Sequence, residues 1–326
     1  MSDLTCLEIC AGAGGQALGL EWAGFEHVAA IEIDPDACAT LRINRPRWLV
    51  HEKDVRAISG SNYQRVDLLA AGVPCPPFSV AGRQLGRDDD RDLFPEAIRL
   101  VAEAQPTAVM FENVRGLTSA RFAAYRESIQ SQLAELGYES DWRLLNASDY
   151  GVPQLRPRFI LVALRSAVFA HFNWPEPAAE PTLVGDSLRD LMAADGWLGA
   201  EAWAVGAQRT GPTLVGGSRK HGGPDLGPTR AREDWLKLGV DGRGLADHPP
   251  SAAHDLDHIP KLTLPMAARL QGFPYDWRFA GRKTAAYRQI GNAFPPPVAE
   301  AVGTSIRKAI GLARRGGPRR RLQLVG

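Results

Sequence analysis

Leu7-Glu-Ile-Cys-Ala-Gly-Ala-Gly-Gly15 is an apolar strand that runs straight into a glycine-rich turn. Glycine at positions 12, 14 and 15 permits tight turning and a close approach of a ligand to the backbone. A second strand-like run, Ala29-Ala-Ile-Glu-Ile-Asp34, places an acid at its end. A carboxylate there can accept hydrogen bonds from both ribose hydroxyls of an adenosine. Together the two segments predict an α/β fold that binds a nucleotide-like cofactor at one edge of its sheet.

The glycine turn fits more than one cofactor. Gly12-Ala-Gly14-Gly-Gln-Ala17 matches the dinucleotide fingerprint G-x-G-x-x-G/A, with Glu32 at a suitable distance. From this end of the chain, NAD and S-adenosylmethionine are about equally favoured, and a purely structural glycine turn is the third alternative. Asp54 follows the third strand and can accept from an adenine amino group, although a role as a cap is almost as well supported.

Strands and helices alternate through the first half of the chain. Strands are predicted at 5–10, 27–33, 48–51, 66–71, 108–112, 142–146 and 159–164. Helices are predicted at 16–23, 35–44, 93–104 and 122–136, and two more at 264–270 and 298–312. Such alternation predicts an α/β fold with a doubly wound, mostly parallel, Rossmann-like sheet.

The pattern changes near residue 172. From 173 to about 260 the chain is rich in glycine, proline and tryptophan and has few periodic runs. We therefore expect a cofactor-binding and catalytic domain at 1–172, a smaller loop-rich domain at 173–260, and a C-terminal segment at 261–326 that returns to the first domain.

Composition argues against several classes of protein. The 326 residues carry a formal net charge of +1, so overall charge identifies no partner. The four cysteines lack the Cys and His spacing of metal sites or of a disulfide framework. The N-terminus does not resemble a signal peptide, and no apolar stretch approaches the roughly 18 residues that span a membrane. We expect a cytoplasmic protein without a metal and without a membrane partner.

Cys75 lies in Ala71-Gly-Val-Pro-Cys-Pro-Pro-Phe-Ser79, directly after a predicted strand. Ligands of open α/β sheets bind at the carboxyl ends of the strands. Because the prolines restrict this loop, a cysteine there is held in position and can act as a nucleophile. A small buried thiol is the alternative, and it is equally supported by this loop alone.

Six segments, in order along the chain, resemble those of the DNA (cytosine-5) methyltransferases, in particular the bacterial enzymes of restriction-modification systems. They are Ala11-Gly-Ala-Gly-Gly15, Pro74-Cys75 with Phe78-Ser79, Phe111-Glu-Asn-Val114, Asp149-Tyr-Gly-Val-Pro-Gln-Leu-Arg-Pro-Arg158, Arg269-Leu-Gln-Gly-Phe-Pro274 and Gln289-Ile-Gly-Asn-Ala-Phe294. With the strands between them they cover most of the chain except about 173–260, which the resemblance makes the target-recognition domain. It implies transfer of a methyl group from S-adenosyl-L-methionine to C5 of a flipped-out cytosine in a specific sequence of double-stranded DNA.

Methylation of this carbon needs a nucleophile and an acid. Addition of a thiolate at C6 makes C5 enamine-like, and Cys75 is the candidate. Glu112, at a strand end, can supply a proton or hydrogen bond at N3, whereas a salt-bridged structural acid is the alternative. Arg156 and Arg158 are two apart in an extended segment, so both can face the site, and the resemblance assigns the contact with cytosine to Arg158. We expect Asn113 to orient the loop around the nucleophile.

The resemblance also implies a set of cofactor-binding residues around the glycine turn and the strand ends. The set is Cys10, Ala11, Gly12, Gly14, Gly15, Glu32, Ile33, Asp54, Val55, Pro74, Asn292 and Ala293. The chain departs from the family's commoner pattern at three positions. Cys10 stands where an aromatic residue is frequent, Val73 where proline or phenylalanine is commoner, and Pro76 where glutamine is more usual. None of these changes removes a reacting group.

Two stretches are predicted to hold the DNA. Residues 82–92 are glycine-bearing and highly charged, and we expect them to close over the flipped cytosine, with an ordinary solvated turn as the alternative. Residues 208–232 carry five basic side chains against one acid, which suits contacts with guanine edges and phosphates, although a solvated loop is the alternative. The predicted DNA-contacting residues are Ser79, Arg83, Gln84, Arg209, Thr213, Arg219, Lys220, His221, Arg230 and Arg232.

Three competing functions stay open on the sequence alone. An NAD-dependent oxidoreductase fits the glycine turn, but no hydride-transfer constellation accompanies it. A tRNA cytosine-5 methyltransferase has the same fold, but the Cys-Phe-Thr element usual in that branch is missing from the sequence. A catalytically idle DNA-binding relative conflicts with the intact Cys75, Glu112 and Arg158. We expect a monomer whose link to any cognate restriction endonuclease is one of function only.

Overall fold

The computed structural model describes residues 4–74, 92–178, 180–216 and 225–316. Within these ranges the chain forms nine strands. They are β1 (Leu4–Ile9), β2 (Phe25–Glu32), β3 (Val50–Glu52), β4 (Leu68–Gly72), β5 (Ala108–Val114), β6 (Tyr138–Asn146), β7 (Gln154–Leu155), β8 (Pro157–Arg165) and β9 (Gly211–Pro212). Seven of them form the main sheet in the order β3-β2-β1-β4-β5-β8-β6, and β7 pairs with β9.

The main sheet is mostly parallel, as predicted. Strands β1 to β5 run parallel to one another, whereas β8 lies antiparallel between β5 and β6. The connection from β6 to β8 is short and contains no crossover helix, so the two strands can only pair antiparallel. This reversal brings the start of β8 to the same edge of the sheet as the end of β5. The fold class predicted from the sequence is confirmed.

Eleven helices lie within the described ranges. They are α1 (Gly15–Trp22), α2 (Pro35–Asn44), α3 (Phe94–Ala104), α4 (Ala123–Glu135), α5 (Ser166–Phe169), α6 (Val184–Ala193), α7 (Ala200–Gly206), α8 (Thr229–Leu236), α9 (Leu264–Leu270), α10 (Lys283–Asn292) and α11 (Pro296–Gly316). No helix in this part of the chain has the length and apolar character needed to cross a membrane.

Local sequence explains where the first helices begin. Asp34 caps α2, because its side chain accepts hydrogen bonds from the backbone N–H groups of Asp36 and Ala37, and Pro35 occupies the first helical position. The helix α1 begins after Gly14, which has a φ of 86°. Both helices start at the carboxyl edge of the sheet, which is where a cofactor would meet their N-terminal N–H groups.

Two hydrophobic clusters cover the two faces of the main sheet. One contains α3 and α4 side chains such as Leu100 and Leu133, and the other contains α11 side chains such as Val302 and Ile306. The helix α11 packs directly on α1, since a Cβ added at Gly19 would lie 2.1 Å from the carbonyl oxygen of Pro296. The last helix therefore lies against the cofactor-binding half of the chain.

A third hydrophobic cluster explains how the loop-rich region folds. It joins tryptophans of the 173–260 region, among them Trp203 and Trp235, to α9 and α10. The region contains α6, α7 and α8, which were not predicted from the sequence. The helices α7 and α8 are too short to show a long periodic pattern, whereas α6 carries Val184, Leu188 and Met192 at helical spacing and was missed among the glycines and prolines around it. The domain limits at 173 and 260 stay a prediction.

Candidate active site and cofactor edge

A buried ion pair lies where β5 and β8 meet. Nε of Arg158 lies 2.7 Å from Oε1 of Glu112, and each side chain is only 10% exposed. In the antiparallel register Val114 pairs with Arg158, so the end of one strand meets the start of the other. Glu112 and Arg158, which the sequence placed at the same edge of the sheet, are therefore in direct contact there.

The protonation of Glu112 is poised between two opposing effects. Burial raises the pKa of its carboxyl group, whereas the guanidinium groups of Arg158 and Arg156 lower it. The net direction is upward. The Glu112 carboxyl group therefore keeps its proton to a higher pH than an ordinary glutamate does, although a cation is in contact with it. This is the property required of an acid that serves the ring nitrogen of a base. For Glu112, a salt bridge to Arg158 and a role as an acid are therefore compatible and need not be alternatives.

The strand that leads to Cys75 is the neighbour of β5. Gly72, the last residue of β4, pairs with Glu112, and Asn113 Nδ2 donates a hydrogen bond of 3.3 Å to the carbonyl oxygen of Val73. Half-buried Pro74 follows. The side chain of Asn113 thus holds the chain two residues before the predicted nucleophile, and its part in the reaction stays a prediction. Cys75 itself, with Ser79, Arg83 and Gln84, lies outside the described residues.

The three described cysteines are poor candidates for the nucleophile. Burial raises the pKa of the Cys6 and Cys10 thiols, and burial together with the Glu32 carboxylate raises that of Cys38 to about 12. A thiol of raised pKa is not ionised near neutral pH and reacts slowly. By elimination among the four cysteines, Cys75 is left as the candidate.

Arg156 differs from the expectation that it faces the site together with Arg158. Its guanidinium group donates to the carbonyl oxygens of Leu214 and Gly291, at 2.8 Å and 2.7 Å. The strand β8 begins at Pro157, so Arg156 lies outside the regular strand and the alternation of faces does not extend to it. The structure therefore separates the two arginines: Arg158 contacts the acid, and Arg156 binds backbone far along the chain.

Glu32 organises the cofactor edge. Its Oε2 accepts from the N–H of Gly12 at 2.7 Å, and its Oε1 accepts from the N–H groups of Ile33 and Asp34, both at 2.8 Å. A carboxylate has about four acceptor positions, so Glu32 keeps capacity for a ribose hydroxyl. Ile33 beside it is 62% exposed, and its contact with the adenine of a cofactor stays a prediction.

The glycines of the turn have distinct roles. Space is open around the missing Cβ of Gly12, which has a φ of +54°. A Cβ at Gly14 would meet Leu41 at 2.7 Å, and one at Gly15 would meet the carbonyl oxygen of Phe294 at 2.2 Å. The first glycine thus leaves room for a ligand, whereas the other two allow close packing. Together with Glu32, this edge fits an adenosine-bearing cofactor.

The other predicted cofactor residues lie around the same turn. Cys10 precedes it with a φ of 53°, and Ala11 is fixed by its N–H bond of 3.1 Å to the carbonyl oxygen of Ile31. Ala293 packs against Gly15, where an added Cβ would lie 3.2 Å from its side chain. Asn292, at the end of α10, lies next to Gly216 instead.

Asp54 has a structural partner already. Its side chain accepts from the N–H of Arg56 at 2.9 Å and pairs with the guanidinium group of the same residue at 3.2 Å. It caps a short 3-10 helix that begins at the buried Val55. The capping alternative describes what the structure shows, and a contact of Asp54 with adenine stays a prediction.

The described candidates for DNA contact lie between residues 209 and 232. Arg209 and Arg230 are exposed, and Arg232 donates to Thr229 at 3.2 Å on α8. Thr213 uses its hydroxyl to bind the carbonyl oxygen of Leu155. Their contact with DNA stays a prediction, and Arg219, Lys220 and His221 lie outside the described residues.

Three side chains near the site were missed at the sequence level. Gln154 and Gln271, both fully buried, bond to each other at 2.9 Å, and Trp277 donates to the carbonyl oxygen of Ala13 in the glycine turn at 3.2 Å. The two glutamines stand inside motifs that carried the resemblance, which was the available signal. Trp277 had none, because its partner is more than 260 residues away.

Among the described residues, one group of metal-ligand side chains comes together beneath the cofactor edge. Cys6, Glu8 and His27 place ligand atoms within 4.8 Å of one another, and His27 Nε2 lies 3.0 Å from Glu8 Oε2. Burial raises the pKa of Glu8, although His27 lowers it, and burial keeps the proton on Cys6. A retained thiol proton opposes metal binding, and we interpret the group as a buried hydrogen-bonded pair beside a thiol.

Comparison with known proteins agrees with this arrangement. The sequence model of the family described as C-5 cytosine-specific DNA methylase matches residues 4–308. Type II methyltransferase M.NaeI of Lentzea aerocolonigenes is 56% identical over 320 residues, which is 97% of this chain and 78% of the relative. Type II methyltransferase M.NgoMIV of Neisseria gonorrhoeae is 55% identical over 312 residues, which is 94% of this chain and 98% of the relative.

Solved structures share the architecture at lower sequence identity. A DNA modification methyltransferase encoded within an E. coli prophage aligns with a TM-score of 0.66 at 24% identity, covering 94% of this chain and 99% of that chain. The Entamoeba histolytica methyltransferase EhMeth aligns with a TM-score of 0.65 at 14% identity, covering 94% and 98%. At these identities the likeness shows the fold alone.

Proposed function

The chain belongs to the C-5 cytosine-specific DNA methylase family, and from this premise we propose that it methylates C5 of a flipped-out cytosine in a specific DNA duplex sequence through a covalent bond from Cys75. It is a DNA (cytosine-5) methyltransferase that uses S-adenosyl-L-methionine as methyl donor. The family match favours this activity over the NAD-dependent oxidoreductase and the tRNA methyltransferase that the sequence left open.

The observation that carries the mechanism is the Glu112–Arg158 pair beside the β4 end. The pair is buried, joined at 2.7 Å, and Glu112 is the register partner of Gly72, three residues before Cys75. An acid of raised pKa and a nucleophile on neighbouring strand ends is what ring activation of cytosine requires. Arg158 would hold the carboxyl group in place and face the cytosine.

The reaction follows from these roles. The Cys75 thiolate forms a bond to C6 while Glu112 donates to N3, so the ring electrons shift toward C5. S-adenosyl-L-methionine, bound at the Gly12 and Glu32 edge, supplies an electrophilic methyl group on a sulfonium. When C5 takes the methyl group, the bond from sulfur to methyl would break and S-adenosylhomocysteine would leave as a neutral thioether. The C5 proton then leaves to solvent, the Cys75–C6 bond breaks as the C5–C6 double bond reforms, and the thiolate is regenerated. N3 returns its proton to Glu112.

The DNA must present the cytosine outside the base stack, at a cost of roughly a few kcal/mol for unstacking. We assign recognition of the flanking sequence to the 173–260 region, with Arg209, Arg230 and Arg232 as described candidates. We further propose that the protein acts as a monomer in the cytoplasm, and that a cognate restriction endonuclease, where present, shares only its target sequence. Light scattering of the protein with and without duplex tests the monomer.

One experiment tests the covalent mechanism. The protein is incubated with labelled S-adenosyl-L-methionine and a duplex that carries 5-fluorocytosine at the target, because fluorine at C5 blocks release of the adduct. We expect an adduct that survives denaturing electrophoresis, and its loss in Cys75→Ser. The control is Cys38→Ser, whose hydroxyl can keep the bond that Sγ now makes to the carbonyl oxygen of Glu32. An adduct that persists in Cys75→Ser would refute the assignment.

The target sequence must be known before that duplex is made. Bisulfite sequencing of DNA from an expressing host gives it directly, since methylated cytosines resist conversion. Methylation at a single reproducible sequence supports the proposal. Absence of methylcytosine in the host DNA, with tight binding of NAD by the purified protein, would overturn it.

A further inference from the structure

Arg156 is among the most deeply buried large side chains of the protein, with 1% of its surface exposed. Its Nη1 donates to the carbonyl oxygen of Leu214 at 2.8 Å. Its Nη2 donates to the carbonyl oxygens of Gly291 at 2.7 Å and Ala293 at 2.9 Å. One guanidinium group thus binds backbone of two segments that are far apart in sequence, one in the recognition region and one at the end of α10.

Two buried glutamines complete this connection. Gln154 accepts from the N–H of Leu214 at 2.8 Å through Oε1, and it donates through Nε2 to Gln271 at 2.9 Å. Gln271 donates in turn to the carbonyl oxygen of Ala293 at 2.5 Å. Leu214 and residues 291–293 are therefore joined twice, once through Arg156 and once through the two glutamines. The position of Leu214 thus depends on residues 154–156 and on residues 291–293.

Each segment leads to a different part of the site. Gly216 packs backbone to backbone against Gly291, where an added Cβ would lie 2.3 Å from the Gly216 nitrogen. In sequence, Gly216 lies three positions after Thr213 and three positions before Arg219, both of which are predicted to contact DNA. On the other side, the carbonyl oxygen of Phe294 touches Gly15 of the cofactor turn. Arg158, two residues after Arg156, holds Glu112.

We propose that Arg156 is a positioning residue that couples residues 213–216 to the glycine turn at 12–15 and to the Glu112–Arg158 pair. Through this coupling it would contribute to the discrimination between DNA sequences without touching a base. An arginine suits this task because its planar fork presents several donors to separate acceptors at once. A lysine carries the same charge, but its three donors radiate from a single nitrogen, so it lacks the planar fork that now reaches both segments. A base pair that displaces residues 213–216 would then also displace Glu112 and Arg158. A duplex of the wrong sequence would therefore be methylated more slowly as well as bound more weakly.

The inference rests on the proposed function and is tested on Arg156→Lys. The cognate duplex and duplexes with one changed base pair are compared by steady-state methyl transfer. We expect the KM for cognate DNA to rise about tenfold or more, by more than kcat falls. We also expect the ratio of kcat/KM between cognate and changed duplexes to fall about tenfold, which is the discrimination of one typical base contact. The control is Arg165→Lys, whose guanidinium donates to the carbonyl oxygen of Leu136 at the opposite end of β8.

The outcomes separate the possibilities. Equal loss of rate on all duplexes, or an unchanged discrimination ratio, would mean that Arg156 serves folding alone and would overturn the inference. If Arg156→Lys does not fold, Gln271→Met is used instead, because it removes the hydrogen bonds of Gln271 to Gln154 and Ala293 at similar side-chain volume. The ratio of kcat/KM between cognate and changed duplexes should then fall by a smaller factor. An unchanged ratio in this variant overturns the inference. A wild-type protein that makes no methylcytosine refutes the proposed function, whereas normal wild-type activity with unchanged discrimination in the variants refutes only the coupling.

Discussion

Glu112→Gln removes the acid of the proposed mechanism with little change of shape. The glutamine keeps an oxygen that can face Arg158, but it has no charge and no acidic proton. The carboxyl group it replaces lies 2.7 Å from Nε of Arg158, and both side chains are nearly buried. The perturbation therefore acts on the reaction centre itself and leaves the surrounding apolar packing in place.

The magnitude follows from the two ways in which Glu112 can act. General acid catalysis contributes roughly 10²–10⁴-fold, and a hydrogen bond aimed at developing charge contributes roughly 10²–10³-fold. We predict that kcat falls by about 10²–10⁴-fold, which corresponds to about 3–5 kcal/mol of transition-state stabilisation. The KM for DNA should change much less, because recognition of the flanking sequence does not involve this residue.

The assay is single-turnover transfer of labelled methyl groups between pH 6 and 9. Because burial raises the pKa of Glu112, the wild-type rate should fall on the alkaline side as the pH passes through the raised pKa and the acid loses its proton. The variant should lack this alkaline decrease. The control is Glu103→Gln, which removes a carboxylate that pairs with Arg99 at 2.7 Å on α3, away from the edge. A Glu112→Gln rate within about threefold of wild type, with the same pH profile, would refute the acid role.

Three further predictions concern the cofactor edge and the buried pair beneath it. Glu32→Gln should weaken binding of S-adenosyl-L-methionine by about tenfold or more in calorimetry, since it removes a charged acceptor, and unchanged affinity would contradict that role. Gly15→Ala should lower the free energy of unfolding by about 3 kcal/mol or more, because its Cβ would lie 2.2 Å from a backbone oxygen that cannot move aside freely. Gly12→Ala has open space and should lower it by only about 1–2 kcal/mol, which is the strain of its positive φ. Denaturant titration measures both, and a Gly15→Ala loss no larger than that of Gly12→Ala would contradict the packing role of Gly15. For Glu8, burial raises the pKa despite the opposing His27, so the folded state binds more protons than the unfolded one above about pH 4.5. The contribution of Glu8 to stability is present below that pH and decreases as the pH rises. The difference in free energy of unfolding between wild type and Glu8→Gln should therefore shift against wild type as the pH is raised from 5 to 8. A difference that stays constant over this range would count against the explanation.

Motifs made the chemistry accessible from the sequence. Leu7–Gly15 and Glu32 predicted the cofactor edge; the structure joins the two by the bond from the Gly12 N–H to the Glu32 carboxylate at 2.7 Å, and the contact of Glu32 with the cofactor stays a prediction. The alternation of elements predicted the mostly parallel sheet, and the position of Glu112 at a strand end predicted the edge on which it lies. These features could be read because each depends on neighbours in sequence or on the fixed geometry of a parallel sheet.

Contacts between distant segments could not be read in the same way. Arg156 and Arg158 looked equivalent two residues apart, and their different roles follow from partners at Leu214, Gly291 and Glu112. The short helices α6 to α8 were invisible for a related reason. Their apolar residues pack in the tryptophan cluster that they share with α9 and α10, and that tertiary packing is not visible in a short local pattern.

The sequence by itself determined the class of the fold and the family, and it predicted the reacting groups, because strand patterns, glycine turns and short motifs are local and each carries its own physical constraint. The tertiary structure alone decided which charged side chains meet. It brought Glu112 and Arg158 to 2.7 Å by placing β8 antiparallel beside β5, and it turned Arg156 toward backbone more than 50 and 130 residues away. A buried charge is stable only beside a partner, and the chain can supply distant partners only after it has folded.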